Sequence, residues 1–245
     1  LARDGSGRGR HERTDLDAAL LPPWWAPHRP EERVAVESLA AARGTPPRPW
    51  LGTDRLGRDL LARTLLGGAV SLAVGFGAAA VATAIGTAVG ATAGMSGAAG
   101  GRLDGVLMRA VDVVQGLPSI LLVVLVGLST DGLLSRLAWD PPPAVRQAVD
   151  LLVLVVAIGG VSWLTMARVI RGRALGLACS PFMEAATAVG MGPVRRLTGH
   201  LVPNLSGTIA AYAALAVPAA ILSETFLSFL GLGVREPLPS WGSLA

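Results

Sequence analysis

Residues 64–101 read TLLGGAVSLAVGFGAAAVATAIGTAVGATAGMSGAAGG, 38 consecutive positions without a charged side chain. About 20 apolar residues suffice for a helix to cross the hydrocarbon core of a bilayer, so this run is expected to span the membrane over residues 69–93. Within it Gly86, Gly90 and Gly94 recur every four residues, and Ala78 and Ala82 continue the line. Four-residue spacing puts small side chains on one helix face, where the backbone of a second helix approaches closely. The competing explanation is a generic Gly/Ala-rich span with no such partner.

Three further apolar stretches follow, at 113–130, 151–167 and 204–230. The first has Pro118 near its start; the last contains Pro218 and one acid, Glu224. Proline inside a span frees a backbone carbonyl and kinks the helix. The pattern therefore predicts an all-α polytopic transmembrane bundle with about four spans. Glu224 is a candidate for an outer gate or a subunit contact, because acids at membrane depth are costly and tend to be functional.

Composition agrees. The chain is 51% hydrophobic and only 16% charged, against about 25% charged in soluble domains, and its mean hydropathy is +0.53. The net charge of +4 does not point to nucleic acid: aromatics are 4%, too few for a base-stacking platform. All 21 basic residues are Arg. Without Lys there is no phosphate-loop lysine, Schiff base or Ser–Lys dyad, so ATP, if it drives this protein, is bound by another chain. The single cysteine, Cys179, excludes an internal disulfide and reads as a small half-buried loop residue. His11, His28 and His200 are too isolated to suggest a metal site, and no Ser/His/Asp grouping stands out.

Arginine placement gives an orientation. The segment 168–200 carries five Arg against Glu184 alone, whereas 131–150 has two Arg against three acids. The positive-inside tendency places 168–203 in the cytoplasm, together with the connection 97–112. Arg109 and Asp112 read as an interfacial pair there, and Arg195 and Arg196 as facing lipid headgroups or an acidic protein surface. Residues 1–20 form a polar, atypical N-terminal segment. Residues 21–66 form an extracytoplasmic segment, followed by the transmembrane domain 67–245. In the former, Trp24, Trp25 and Trp50 suit a membrane interface and a short helix is expected over Glu31–Arg43. A surface helix capped by Thr53 or Asp54 would carry the stripe Leu56, Leu60, Leu61 and Leu65.

The cytoplasmic loop contains Ser180-Pro-Phe-Met-Glu184-Ala-Ala-Thr-Ala-Val-Gly190-Met-Gly-Pro193 and ends at Leu201-Val-Pro203. Ser180 suits an N-cap and Pro181 a first helical position. Glu184 lies where the helix dipole favours an acid. Gly190 supplies a left-handed terminator, and Gly192-Pro193 starts a second short helix ending before Pro203. Such a pair of helices fits either a partner's groove or the lipid headgroup layer.

The run Glu184-Ala185-Ala186, Gly190 and Leu201-Val202-Pro203 resembles the EAA motif of bacterial ABC importer permeases. Leu51-Gly-Thr-Asp-Arg-Leu-Gly-Arg-Asp59 resembles a motif of the dipeptide/oligopeptide/nickel branch. Asp104–Asp112 before a Pro-bearing span, Phe226-Leu-Ser-Phe-Leu-Gly-Leu-Gly233 and Pro239-Ser-Trp-Gly242 are similar in the same order. The resemblance implies a type I permease fold with six spans, of which the first and last are expected to be missing here, through a fragment or a mis-assigned start. It implies a non-catalytic permease subunit of the inner membrane, for peptides or a related solute. Its partners would be a second homologous permease, two ATPase subunits holding ATP and Mg, and an extracytoplasmic solute-binding protein. Glu184, Ala185, Ala186, Gly190, Gly192, Leu201 and Pro203 would form the ATPase-coupling element. The alternatives from other classes are a secondary transporter or channel, and an intramembrane enzyme.

Overall fold

The structure is a computed structural model and describes residues 18–43, 49–136 and 141–244. Most of the polar segment 1–20, and residues 137–140 of the connection between spans, lie outside the described residues. Two compact units emerge, Leu1–Ser71 with Arg235–Ala245, and Leu72–Val234. Among the described residues the regular structure is helical, with one isolated bridge between Thr53 and Asp59.

In the first unit, helix α1 (Pro30–Arg43) begins with Glu31 and Glu32 in its first turn, where the helix dipole favours acids. The Glu32 carboxylate accepts from the Arg29 amide at 2.7 Å, the return half of a capping box. Leu39, with Ala35 and Val36 beside it, packs on Ala18 and Leu21. Trp24 and Trp50 meet edge to face at 5.7 Å, and Trp25 donates from Nε1 to the Trp50 carbonyl at 3.0 Å.

Helix α2 (Leu60–Ala98) is capped by Asp59, whose carboxylate accepts from the amides of Leu61 and Ala62 at 3.0 and 3.3 Å. The expected cap at Thr53 or Asp54 is thus corrected. Both side chains are engaged in closing the preceding loop: Thr53 Oγ1 accepts from Leu21 N and donates to Ala18 O, while Asp54 accepts from the amides of Leu56 and Arg58. Leu56 consequently lies in that loop. Leu60, Leu61 and Leu65 belong to the first turns of α2 itself, so the separate surface helix does not form.

The spans differ from their hydropathy bounds in an informative way. Helix α2 runs well beyond 69–93, and the third span, expected over 151–167, lies within a 36-residue helix α5 (Pro143–Ala178). Hydropathy locates the hydrocarbon layer, whereas the helices continue through Arg168, Arg171 and Arg173. The stretch 113–130 is not one helix. Helix α3 (Arg102–Gln115) stops, residues 116–118 break the path, and α4 (Ser119–Arg136) departs at 85°. Pro118 has no amide proton and steers Leu117 away from helical geometry. Among the described residues three helices are long and apolar enough to cross a membrane, or four if the bent pair is one span. The third of these is helix α9 (Ser206–Phe229), close to the expected 204–230.

In the second unit, α2 and α5 run parallel. Gly77 lies against Val155, Gly86 against Met166, Gly90 against Ala167 and Ile170, and Gly94 against Ala174. A Cβ at Gly90 would overlap the Ala167 carbonyl and stand 2.9 Å from the Ile170 Cβ; at Gly94 it would stand 2.5 Å from the Ala174 Cβ. Gly159 on α5 reciprocates, its added Cβ falling 2.7 Å from the Ala78 carbonyl. Val74, Ala78, Val123, Leu154, Ile158 and Leu227 join α2, α4, α5 and α9 in one apolar cluster.

Adding one methyl at Gly90 should therefore overpack the helix pair. We expect Gly90→Ala to destabilise the detergent-solubilised protein by about 1–3 kcal/mol. Gly172→Ala, where nothing lies within 4 Å of the new Cβ, should be neutral or stabilise by up to about 1 kcal/mol. Thermal unfolding of the two variants side by side checks the contrast.

Candidate functional site

The loop beyond α5 folds back on the helices that carry it. Helix α6 (Pro181–Ala188) starts with Pro181 in its first turn and Ser180 at the N-cap position. The Ser180 hydroxyl does not cap it: Oγ donates backwards to the Leu177 carbonyl, correcting the expected role. Gly190 takes φ +78°, and the amides of Gly190 and Met191 bond to the carbonyls of Thr187 and Ala186 at 2.9 and 3.1 Å. An L side chain is strained at such an angle. Gly192 occupies the N-cap of helix α7 (Pro193–Arg196) in extended geometry.

The second helix of the loop does not end before Pro203. Helix α7 runs into a π-helical turn, Leu197–Leu201, then α8 (Val202–Asn204) and α9. Pro203 has no amide proton to donate, and the chain continues helically through it directly after the π-helical turn.

The motif residues divide between two faces of α6. Met183 and Ala186 are buried, and Met183 joins Met166, Ile170, Ala174, Leu201 and Leu205 in a cluster with Ala91. Glu184, Ala185 and Ala188 are exposed, as are Val189 at 85% and Val194 at 72%. Leu201 is fully buried and Pro203 exposed. The two short helices are tied together by Arg196, which donates from NH1 to Thr187 Oγ1 at 2.5 Å, rather than projecting wholly outward. Cys179 is exposed, not half-buried as expected.

Two ion pairs mark the same end of the bundle. Arg171 on α5 grips Asp104 on α3 with two hydrogen bonds, at 2.5 and 2.6 Å. Arg168 reaches Asp112 at 2.5 Å, so the partner of Asp112 is Arg168 instead of Arg109. These contacts put the connection after α2 and the end of α5 side by side, as expected from the arginine pattern.

Glu224 is fully buried by its own chain. Ser228 Oγ donates to its carboxylate at 2.6 Å and accepts from the Val234 amide at 3.1 Å. Gly231 at φ +77° and Gly233, whose Cβ would collide with Ser228, let the chain fold back over this pair. That turn accounts for the Gly-Leu-Gly end of the Phe226–Gly233 motif.

In the first unit, Arg58 bonds Asp54 at 2.8 Å and Glu236 at 3.1 Å. Trp241 lies over Gly68, where a Cβ would stand 2.8 Å from the indole, and donates from Nε1 to the Thr64 carbonyl at 3.2 Å. The Leu51–Asp59 and Pro239–Gly242 motifs thus belong to one compact unit, which sequence separation concealed. Burial opposes ionisation of Asp54, but the hydrogen bonds from Arg58 and the Leu56 amide outweigh it and hold the carboxyl below its ordinary value of 3.8.

Long apolar helices joined by glycine contacts, with arginines gathered at one end, define a multi-span helical membrane protein. The profile of the family described as "Binding-protein-dependent transport system inner membrane component" matches residues 86–245; the chain belongs to that family. It is 46% identical over 195 residues to the oligopeptide transport system permease protein OppC of Escherichia coli K12, covering 80% of this chain and 58% of that protein. It is 36% identical over 222 residues to the OppC protein of Haemophilus influenzae, covering 91% and 65%. The dipeptide transport system permease protein DppC of Bacillus subtilis is 35% identical over 229 residues, 93% of this chain and 64% of that protein. The chain spans about three-fifths of the length of these relatives.

The Asp54 cluster makes stability depend on acid. A carboxyl whose folded pKa is lowered stabilises the fold above its unfolded value, and this contribution disappears as pH falls through the folded pKa. Cleavage of the 51–59 loop by pepsin should therefore rise as pH drops below about 4. Asp54→Asn should be more readily cleaved at the start and show a smaller rise.

Proposed function

We propose that this chain is a permease subunit of an ATP-driven importer for short peptides. It forms part of the translocation path and receives the motion of an ATPase through the α6 region. The single observation that carries this reading is the two-faced α6. Its inner side, Met183 and Ala186, is packed into the bundle, while Glu184 and Ala185 are presented outward beside a glycine turn. A helix anchored on one side and offering small side chains on the other suits a groove in a partner. The relatives named above belong to oligopeptide and dipeptide transport systems, which supports the substrate class.

In this reading the basic end faces the cytoplasm. Two ATPase subunits hold ATP and Mg there, a second homologous permease completes the path, and a solute-binding protein delivers peptide from the other side. Gly190 and Gly192 shape the turn between the docked helix and the continuous path α7–α9. Leu201 and Pro203 lie partway along that path, where it turns into the last span, so displacement of α6 is passed to a span.

The test uses the assembled transporter in proteoliposomes. Glu184→Arg should abolish stimulation of ATP hydrolysis by loaded binding protein and lower peptide uptake at least tenfold, about 1.4 kcal/mol or more in the coupled step. Gly190→Pro, which does not reach φ +78°, should have the same phenotype. Normal uptake and ATPase association in both variants would refute the coupling role. Uptake that persists with the ATPase removed would favour a secondary transporter or channel.

A further inference from the structure

The break between α3 and α4 opens onto a pocket of about 370 Å³, walled by the end of α3, the start of α4, the middle of α5 and α9. Its polar lining consists of Gln115, Ser119, Ser162, Thr165 and Ser223, and among the described residues no charged side chain contributes. Non-helical backbone at membrane depth is tolerated where it is enclosed by protein or lines a water-filled cavity. Here Gln115, Leu117 and Ser119, on and around the break, all line the pocket, and Leu117 is half exposed.

The hydroxyls are oriented for a particular chemistry. Ser162 Oγ donates to the Ile158 carbonyl at 2.8 Å and Ser223 Oγ to the Ala219 carbonyl at 3.0 Å. With each proton directed into its own helix, the oxygen lone pairs remain to accept. Gln115 adds an amide that both donates and accepts. Ile120, Val123 and Leu227 supply apolar wall between them. Small-ligand pockets generally run from about 300 to 1,000 Å³, so this one admits a few residues of an extended chain.

We infer that this pocket is an aqueous, uncharged contact site for the backbone amides of a peptide in transit. Ser162 and Ser223 accept from peptide N–H groups and Gln115 pairs with a peptide unit. Uncharged hydrogen-bonding groups recognise what all peptides share and leave charged side chains unselected. The inference rests on the importer reading for its ligand, though not for its being wet.

Substituted cysteines test the two parts separately. Cys179 is the only cysteine of the chain, so Ser162→Cys, Thr165→Cys and Ser223→Cys are made singly with Cys179→Ser in the assembled transporter in membrane vesicles. Val156→Cys, an exposed apolar position on α5, is the comparison. A charged thiosulfonate should label the three pocket positions at least tenfold faster than Val156→Cys, read on this chain by mass spectrometry. Trialanine supplied with its binding protein and ATP should slow that labelling at least threefold. Three near-isosteric substitutions on two helices keep the test decisive if one variant fails to assemble. Pocket labelling no faster than at Val156→Cys, with a hydrocarbon-soluble maleimide reacting everywhere, would mean a lipid-filled groove and overturn the inference. Fast labelling that trialanine leaves unchanged would overturn the peptide contact. Protection by trialanine without ATP or ATPase would uphold the pocket and count against the ATP-driven reading instead.

Discussion

Lipid tails are as apolar as leucine, so helices in a bilayer gain nothing from hiding hydrocarbon from water; close van der Waals contact must hold them together. In this chain that contact is the approach of α2 to α5, backbone to backbone, through Gly86, Gly90 and Gly94 on one side and Gly159 on the other. The four positions are spread along the pair, so they fix its register as well as its separation. Because the two helices are parallel, their C-terminal ends arrive together. That places Asp104 and Asp112, just beyond α2, within reach of Arg171 and Arg168 on α5.

A parallel pair imposes a demand on the chain between. It must leave α2 at one end and enter α5 at the other, and α3 with α4 supplies the return. The return is broken at residues 116–118, between α3, pinned by its two ion pairs, and α4, which joins α5 in the apolar cluster through Val123. The break and the glycine contacts are therefore linked. The break leaves a polar notch beside α5, lined by Gln115, Ser119, Ser162 and Thr165.

Much of this was legible because its signals are local. The four-residue glycine spacing, the uncharged runs, the left-handed need at Gly190 and the helix at Pro30–Arg43 each depend on residues close in sequence. The misreadings arose where a residue's hydrogen bond goes to something distant or where two principles compete. Thr53 and Asp54 are good caps by type, but Leu21, Ala18 and Arg58 claim their oxygens first, and Asp59 is left to begin the helix. Ser180 sits at a cap position and turns its hydroxyl the other way. Pro118 predicts a kink within one span, whereas the chain breaks at residues 116–118 and turns by 85°. Pro203 reads as a terminator, yet the helical path continues through it after the π-helical turn. Glu224 shows the same limit: membrane burial was readable, but its bond to Ser228 and the role of Gly231 and Gly233 in folding the chain over it were not.

The burial of Met183 bears on how a movement at one end could matter at the other. If α6 were joined only by its flanking turns, displacement of Glu184 would be absorbed at Gly190. Instead Met183 shares a cluster with Ala91 on α2, with Met166, Ile170 and Ala174 on α5, and with Leu201 and Leu205 on the path into α9. Close-packed interiors deform little and tend to shift as units. A push on α6 is therefore delivered to three long helices at once, and the glycine register of α2 on α5 makes those two the least able to slide past one another. The third, α9, carries Pro218 midway, joins the loop through a π-helical turn and meets α2 where Gly75 lies against Ile221. The helix continuous with the loop thus also forms a wall of the polar pocket, through Ser223.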